Sequence, residues 1–168
     1  MLFGEGVAAA SGRCLMGQQL TALTVTDGMV SPKSLPTVLA AARLGGLLRL
    51  DLTSNQIGNE GVDLIAEAGC TVLHMLQVLV LSRNLVGDVG MQHLARHLIR
   101  GRGTCFSRLR KLDLHANLVG DLGLILFAQA CAVEYVLLEL VVLVLTNNMF
   151  TCKGVAEMHT TARCLGGL

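Results

Sequence analysis

The sequence has few aromatic residues, few charges and only two prolines. Aromatic residues make up 3% of the 168 positions and tryptophan is absent, so the core must be built mainly from aliphatic side chains. Charged residues make up 15% and hydrophobic residues 52%. This composition excludes an intrinsically disordered chain, because such chains are poor in apolar side chains. The net charge of +1 excludes the basic footprint of a nucleic-acid-binding protein, so no nucleic-acid partner is predicted.

The six cysteines form no CxxC pair, which excludes a zinc ribbon or a thioredoxin-type motif. Cys70, Cys131 and Cys164 lie in apolar segments, where a free cysteine packs as a small hydrophobic residue. We therefore predict that the cysteines are reduced core residues, and a set of disulfides is the less favoured interpretation. No Asn-x-Ser/Thr glycosylation signal occurs, which agrees with a predicted cytoplasmic location.

Long apolar runs are absent as well. The N-terminal residues contain Glu5 and no early basic residue, unlike a secretory signal peptide. The most apolar stretch, residues 136–145, is interrupted by Glu139 and is too short to cross a bilayer as a helix. We therefore predict no membrane partner.

The chain does contain an internal repeat with the pattern L-x-x-L-x-L-x-x-N-x-I-G-x-x-G. Four clear copies begin at Leu47, Leu76, Leu109 and Leu140. In the last copy Thr151 replaces the first glycine, and an earlier, degenerate copy begins at Leu20. The asparagines, Asn55, Asn84, Asn117 and Asn148, are 29, 33 and 31 residues apart.

Each copy predicts one strand followed by one helix. In L-x-L the leucines alternate with other residues, as in a strand with one buried face. The glycines permit a tight reversal into a helix, and a return to a parallel strand requires such a crossover. The helical spacing predicts these buried positions: Val62, Ile65 and Ala66, then Val89, Leu94 and Leu98, then Leu122, Ile125 and Leu126. The asparagines are predicted to form a buried ladder that pairs backbone groups of neighbouring repeats and contacts no ligand.

On these residues the chain resembles the leucine-rich-repeat family, specifically its ribonuclease-inhibitor-like class. The resemblance implies an α/β horseshoe solenoid of about five repeats, with parallel strands on the concave face and helices on the convex face. We predict a single domain over 1–168, with a partial N-terminal repeat helix at 1–19. The predicted repeats are 20–46, 47–75, 76–108, 109–139 and 140–168. The longer intervals predict loop insertions at 101–107 and around 131–136.

Neither predicted end shows the polar capping unit that solenoids need. One interpretation is that the chain is a segment or truncated product of a longer leucine-rich-repeat protein, with possible association through uncapped ends. The alternative is that the end helices cap the stack by themselves.

The resemblance implies that a protein partner binds the concave face, at strand positions not occupied by the repeat leucines. Reading across the sheet predicts one row of Ala22, Arg49, Val78, Lys111 and Val142 and a second row of Thr24, Asp51, Val80, Asp113 and Val144. The predicted partner-binding residues are Arg49, Asp51, Val78, Val80, Arg83, Lys111, Asp113, His115, Val142 and Val144. Valines on an exposed sheet face favour the interpretation that a partner covers this face. The alternative is a solvated sheet face with self-paired charges, since exposed ion pairs contribute only about 0–1 kcal/mol.

Other candidate sites are weaker. His93 and His97 have zinc-ligand spacing on a helix, but Leu94 stands where a metalloprotease has glutamate, so a solvated helix face is favoured. Asp51 and Asp113 lie two strands apart, but an open sheet provides no desolvated pocket to raise a pKa. We therefore predict no catalytic residue, no metal and no cofactor, and hence no enzyme.

The sequence thus predicts a protein-protein interaction module. Two alternatives stay open. One is a regulatory domain similar to the repeats of Ran GTPase-activating proteins or NOD-like receptors. The other is the segment of a longer protein described above.

Overall fold

The computed structural model describes residues 20–42, 46–132 and 136–164, in which strands and helices alternate. The elements are β1 (Ala22–Thr24), α1 (Leu35–Ala42), β2 (Arg49–Asp51), α2 (Gly58–Gly69), β3 (Val78–Val80), α3 (Asp88–Arg100), β4 (Lys111–Asp113), α4 (Asp121–Cys131), β5 (Val142–Val144) and α5 (Cys152–Cys164). Each strand and the helix after it form a unit, numbered 1 to 5 after the strand. The predicted helix within 1–19 lies outside the described residues.

The five strands form one parallel sheet whose order follows the chain, β1-β2-β3-β4-β5. The central leucines of the strands are in register: Leu23, Leu50, Leu79, Leu112 and Leu143. The three in the middle strands are fully buried, and the two in the edge strands are partly buried. The core therefore lies between the sheet and the helices, and the predicted repeat architecture of about five strand–helix units is confirmed.

The helix faces differ in part from the prediction. Val62, Ile65 and Ala66 are buried as expected, but Val89 and Leu122 are exposed. Both lie in the first turn of a helix, since α3 begins at Asp88 and α4 at Asp121. The first buried residues of these helices are Gly90 and Gly123. The buried apolar residues beyond that point are Met91, Leu94, Ala95 and Leu98 in α3 and Leu124, Phe127, Ala128 and Ala130 in α4. Ile125 and Leu126 are half-buried.

The repeated asparagines form the predicted ladder. The Asn84 side chain Nδ2 donates to the carbonyls of Leu52 (2.8 Å) and Ser82 (3.0 Å), and its Oδ1 accepts from the Ile57 N–H (3.3 Å). Each ladder asparagine thus pairs backbone groups in its own unit and in the preceding one. Three of them are buried: Asn55, Asn84 and Asn117. The prediction is wrong for Asn148, which is half-buried because β5 is the edge of the described sheet.

A second ladder, which the sequence reading missed, joins the starts of the helices. It consists of Asn59, Asp88 and Asp121. The Asp88 Oδ1, for example, accepts hydrogen bonds from the N–H groups of Gly120 (2.7 Å) and Gly123 (3.0 Å). These donors lie at the N-cap (Gly120) and in the first turn (Gly123) of α4, where backbone N–H groups have no partner within the helix. Each side chain of this ladder therefore caps the helix of the following unit.

The loop between α3 and β4 covers the end of α2. Phe106 is fully buried, and a Cβ atom at Gly69 would overlap its ring. The Phe106 N–H also donates to the Gly69 carbonyl (3.2 Å). This packing brings Cys105 onto Cys70, and the two residues form a disulfide.

The prediction of reduced core cysteines is therefore wrong in part. Cys70 is bonded to Cys105 because the loop folds back across 35 residues of sequence, and Cys152 is exposed. Cys131 is free and half-buried, and burial raises the pKa of its thiol to about 12, so the thiol is protonated at neutral pH. The Cys164 side chain lies outside the described part. Among the residues described, none of the helices is both long and apolar enough to cross a membrane.

Candidate functional site

The face of the sheet that points away from the helices is the candidate site and is called the open sheet face. The strand register aligns its residues in two rows on either side of the buried leucines. One row is Ala22, Arg49, Val78, Lys111 and Val142, and the other is Thr24, Asp51, Val80, Asp113 and Val144. The rows read from the sequence are thereby confirmed as neighbours, although their role is not.

The charges of the open sheet face form ion pairs within single strands. Arg49 Nη2 lies 3.0 Å from Asp51 Oδ2, and Lys111 Nζ lies 3.3 Å from Asp113 Oδ2. The two members of each pair differ in exposure: 47% of the Arg49 side chain but 14% of the Asp51 side chain reaches solvent. The cationic ends therefore form the outer layer of this face and the carboxylates form its floor.

Both carboxylates are held by further hydrogen bonds from the chain. Asp51 Oδ1 accepts from the Thr53 hydroxyl (2.7 Å), and Asp113 Oδ1 accepts from the Ser82 hydroxyl (2.9 Å) and the His115 N–H (3.1 Å). Burial by itself would raise the pKa of Asp113, but the hydrogen bonds from His115, Ser82 and Lys111 lower it overall. Asp113 is thus ionised at neutral pH, whereas a general acid needs a raised pKa.

The valines are less exposed than predicted. Val80 is 6% exposed, so the expectation that it lies exposed on this face is wrong, while its role in binding stays a prediction. Its strand is central, and its register partners Asp51 and Asp113 flank it on both sides. Val142, on the edge strand β5, is 43% exposed, while Val78 and Val144 are half-buried. The apolar part of this face therefore lies mainly at β5.

The two remaining predicted residues follow the strands. Arg83 is exposed and has a positive φ of 56°, in the turn after β3. His115 is half-buried, and its Nδ1 lies 2.7 Å from the Thr146 hydroxyl. Arg83 thus joins Arg49 and Lys111 as an exposed cation at this face, whereas His115 links units 4 and 5.

The histidines of α3 lie on a partly exposed helix face, and they also contact an acidic residue of α2. His93 Nδ1 (2.9 Å), Arg96 Nη2 (2.8 Å) and His97 Nε2 (2.8 Å) all contact Oδ1 of Asp63 on α2. Burial would raise the pKa of Asp63, but the hydrogen bonds from the three basic side chains lower it to about 2. The described residues contain no group of three or more His, Cys, Asp or Glu side chains that could hold a metal ion. The cluster is therefore a network of histidine contacts and one Arg–Asp ion pair that joins α2 to α3.

This network predicts a pH dependence of stability. Because the folded-state pKa of Asp63 is about 2, below the ordinary 3.8, its carboxylate stabilises the fold above pH 4. That contribution is lost as the pH falls through 4 towards 2. We expect Asp63→Asn to be less stable than the wild type at neutral pH, and the difference in urea midpoint to shrink in this acidic range. A difference that is unchanged below pH 4 would contradict the role given to the Asp63 charge.

Comparison with protein families agrees with this architecture. Two segments, residues 47–66 and 72–95, match the family model of the leucine-rich repeat. They lie in units 2 and 3, where strand, ladder asparagine and helix start follow each other as in the repeat pattern. No curated protein matches the chain. Together, the match and the five strand–helix units in one parallel sheet identify the fold as an α/β solenoid of about five leucine-rich repeats.

Proposed function

We propose that this chain is a protein-interaction module of the ribonuclease-inhibitor-like class that binds a protein partner through the open sheet face. Leucine-rich repeats are generally protein-interaction modules. The observation that supports the proposal is the layering of charge on this face. Its exposed groups are the cations Arg49, Arg83 and Lys111 beside Val142, while the carboxylates are recessed.

This layering favours a partner that presents carboxylates. Exposed ion pairs contribute only about 0–1 kcal/mol, so Arg49 and Lys111 can exchange their intrachain partner for another at little cost. Asp51 and Asp113 stay fixed by the Thr53 and Ser82 hydroxyls. A partner with acidic side chains and a small apolar group for Val142 would complement the face in charge and in polarity.

The cytoplasmic location stays a prediction. The Cys70–Cys105 disulfide is an observation against it, because disulfides are rare in the reducing cytosol. The free thiols are alkylated when the protein is isolated, and the alkylated cysteines are then counted. The count shows whether Cys70 and Cys105 are oxidised or reduced in the cell.

The binding proposal is tested with charge reversals on the face. We expect Arg49→Glu/Lys111→Glu to weaken binding of a purified partner by about tenfold or more, because two exposed cations at the contact become anions. A candidate partner is first captured from a lysate and identified, and its affinity is then measured by titration with purified proteins.

The matched control is Arg100→Glu/Arg108→Glu, which changes the net charge equally at exposed positions outside the sheet. This control should bind like the wild type. If both variants keep wild-type affinity, or if both lose it equally, the open sheet face is not the binding surface.

A further inference from the structure

The Cys70–Cys105 disulfide joins units 2 and 3 at the edge of the solenoid where the helices lead back to the strands. Cys70 is the C-cap residue of α2, and Cys105 lies between α3 and β4 in residues 101–107, called the α3–β4 loop. Both ladders lie at the opposite edge, where the strands lead into the helices. Among the described residues, no ladder hydrogen bond involves Cys70 or this loop. The disulfide is therefore a connection separate from the ladders.

The α3–β4 loop is an addition to the repeat. Asn84 and Asn117 are 33 residues apart, whereas Asn55 and Asn84 are 29 residues apart. The repeat pattern assigns no strand, helix or ladder position to the residues of this loop. We therefore expect that the loop can leave α2 while the neighbouring strands, helices and ladders stay folded.

Apart from the disulfide, Phe106 holds the loop on α2. Its ring is fully buried against Gly69, and its N–H donates to the Gly69 carbonyl (3.2 Å). The outer part of the loop, with Arg102 and Thr104, is exposed. Once the disulfide is broken, the closed position of the loop depends mainly on the contacts of Phe106.

The backbone of the loop favours opening. Arg102 has a φ of 43° and Phe106 a φ of 50°, both in the left-handed region. A residue with a side chain adopts this region at a cost, because its Cβ atom lies too close to the following carbonyl oxygen. Relaxation of both residues therefore offsets part of the packing of Phe106 when the loop is free to move.

The two sulfur atoms of the disulfide differ in access. Cys105 is 1% exposed, whereas Cys70 is half-buried. In thiol–disulfide exchange a thiolate must reach one of the two sulfurs, and the rate depends on which sulfur is accessible. A reductant in solution therefore attacks Cys70 in the folded protein, and Cys105 is the leaving group.

We propose that the Cys70–Cys105 disulfide is a redox-sensitive latch, which a dithiol opens and a small-molecule disulfide closes while the solenoid stays folded. This latch is separate from the proposed function of the open sheet face and does not depend on it.

The exchange reaction is balanced within the protein and the dithiol. A thiolate of the dithiol bonds to Sγ of Cys70, the S–S bond of the protein breaks, and Cys105 leaves as a thiolate that takes up a proton. The second thiol of the dithiol then displaces Cys70 and closes a disulfide within the reductant. The protein gains two electrons and two protons, and the dithiol loses them. Oxidised glutathione reverses this change and is itself reduced to two glutathione thiols.

Limited trypsin digestion of the folded full chain reports the position of the loop. Trypsin cleaves after Arg102 when the loop opens, so the rate follows the population of the open form. Reduction with dithiothreitol should raise the rate of this cleavage by about tenfold or more, seen by mass spectrometry as a fragment that begins at Gly103. Oxidised glutathione, added after the dithiothreitol is removed, should restore the slow rate.

A second trypsin site separates loop opening from a general loosening of the fold. Arg83 is exposed in the turn after β3, at the edge that carries the ladders. Cleavage after Arg83 should have the same rate in both redox states, because reduction breaks no ladder hydrogen bond.

Cysteine variants assign the response to this pair. Cys70→Ser/Cys105→Ser should be cleaved rapidly after Arg102 with or without dithiothreitol. The matched control is Cys131→Ala/Cys152→Ser, which removes the two free cysteines of the described residues and should respond like the wild type.

The rate of reduction distinguishes a latch from a disulfide that becomes accessible only on unfolding. Alkylation of the released Cys70 and Cys105 thiols measures this rate at several urea concentrations below the unfolding transition. Reduction of the folded protein should depend only weakly on urea, whereas reduction through global unfolding rises with the full m-value.

Any of four results would overturn the proposal. They are a reduction rate that rises with the full m-value, cleavage after Arg102 that is equally fast in both redox states, an equal acceleration of cleavage after Arg83, and a loop that oxidised glutathione does not close again.

Discussion

Replacing Phe106 with alanine is expected to lower the free energy of unfolding by about 3–5 kcal/mol. The ring is fully buried, and it lies so close to Gly69 that a methyl group there would overlap it. Truncation leaves a cavity between the loop and the end of α2, and the Cys70–Cys105 disulfide limits how far the loop can collapse into it. The difference in unfolding free energy between the variant and the wild type is measured by urea unfolding, and the comparison requires that the two proteins have the same m-value.

Two further variants identify the cavity as the cause. Phe106→Leu keeps most of the apolar volume and should cost clearly less than alanine. Gly69→Ala should cost about 1–3 kcal/mol in the wild type, because its methyl group overlaps the ring. In the Phe106→Ala background the same methyl group enters the cavity, so Gly69→Ala should be neutral or stabilising there. Additive effects of the two substitutions would argue against this packing.

Replacing Asn84 with alanine is expected to cost on the order of 1–3 kcal/mol. Its side chain pairs the carbonyls of Leu52 and Ser82 and the N–H of Ile57, and these three residues are all buried. Alanine leaves these backbone groups without partners and without access to water. Each group then carries the full free-energy cost of its desolvation. The measurement is again the urea midpoint at constant m-value.

The ladder provides its own control. Asn148 makes similar hydrogen bonds to Leu114 and Leu145 but is half-buried, so water can replace its side chain and Asn148→Ala should cost less. Arg49→Ala should stay within about 0.5 kcal/mol of the wild type, since the side chain is exposed. An Asn84→Ala midpoint equal to that of the wild type would exclude the ladder as a source of stability.

The sequence predicts the sheet well because the information is local. The spacing L-x-x-L-x-L places each central leucine, and the repeated asparagine sets the register between units, so the two rows of the open sheet face follow directly. The exposure of these rows could not be read in the same way. Val80 is covered because Asp51 and Asp113 stand in the neighbouring strands, and no feature of the VLV strand itself indicates this.

The repeat pattern did not predict contacts that join neighbouring units or that involve the irregular loop before β4. Val89 and Leu122 fit a helical period. The period alone does not show that each is the second residue of its helix and lies on the exposed side of the first turn. Phe106 lies in an insertion that has no counterpart in the repeat, so the pattern assigns it no position. The second ladder did leave a signal, an Asn or Asp two residues before the second glycine of the repeat: Asn59, Asp88 and Asp121.

The two ladders run in opposite directions along the stack. Ladder asparagines bind the turn of the preceding unit, while Asp88 and its equivalents cap the helix of the following unit. An interior unit is therefore hydrogen-bonded to both neighbouring units, and its unfolding breaks hydrogen bonds to each of them. In a one-dimensional array the stability depends on such interfaces between neighbouring units, so a unit does not unfold independently of its neighbours.

In unit 5 the second ladder reaches Cys152, whose thiol is a weak hydrogen-bond acceptor compared with a carboxylate. The Cys152 side chain therefore provides no strong cap of the kind that Asp88 and Asp121 provide. We expect amide hydrogens of α5 to exchange with solvent sooner than those of α3, which is held from both sides. The strength of the coupling from one unit to the next is thus set by the residue type at one recurring position.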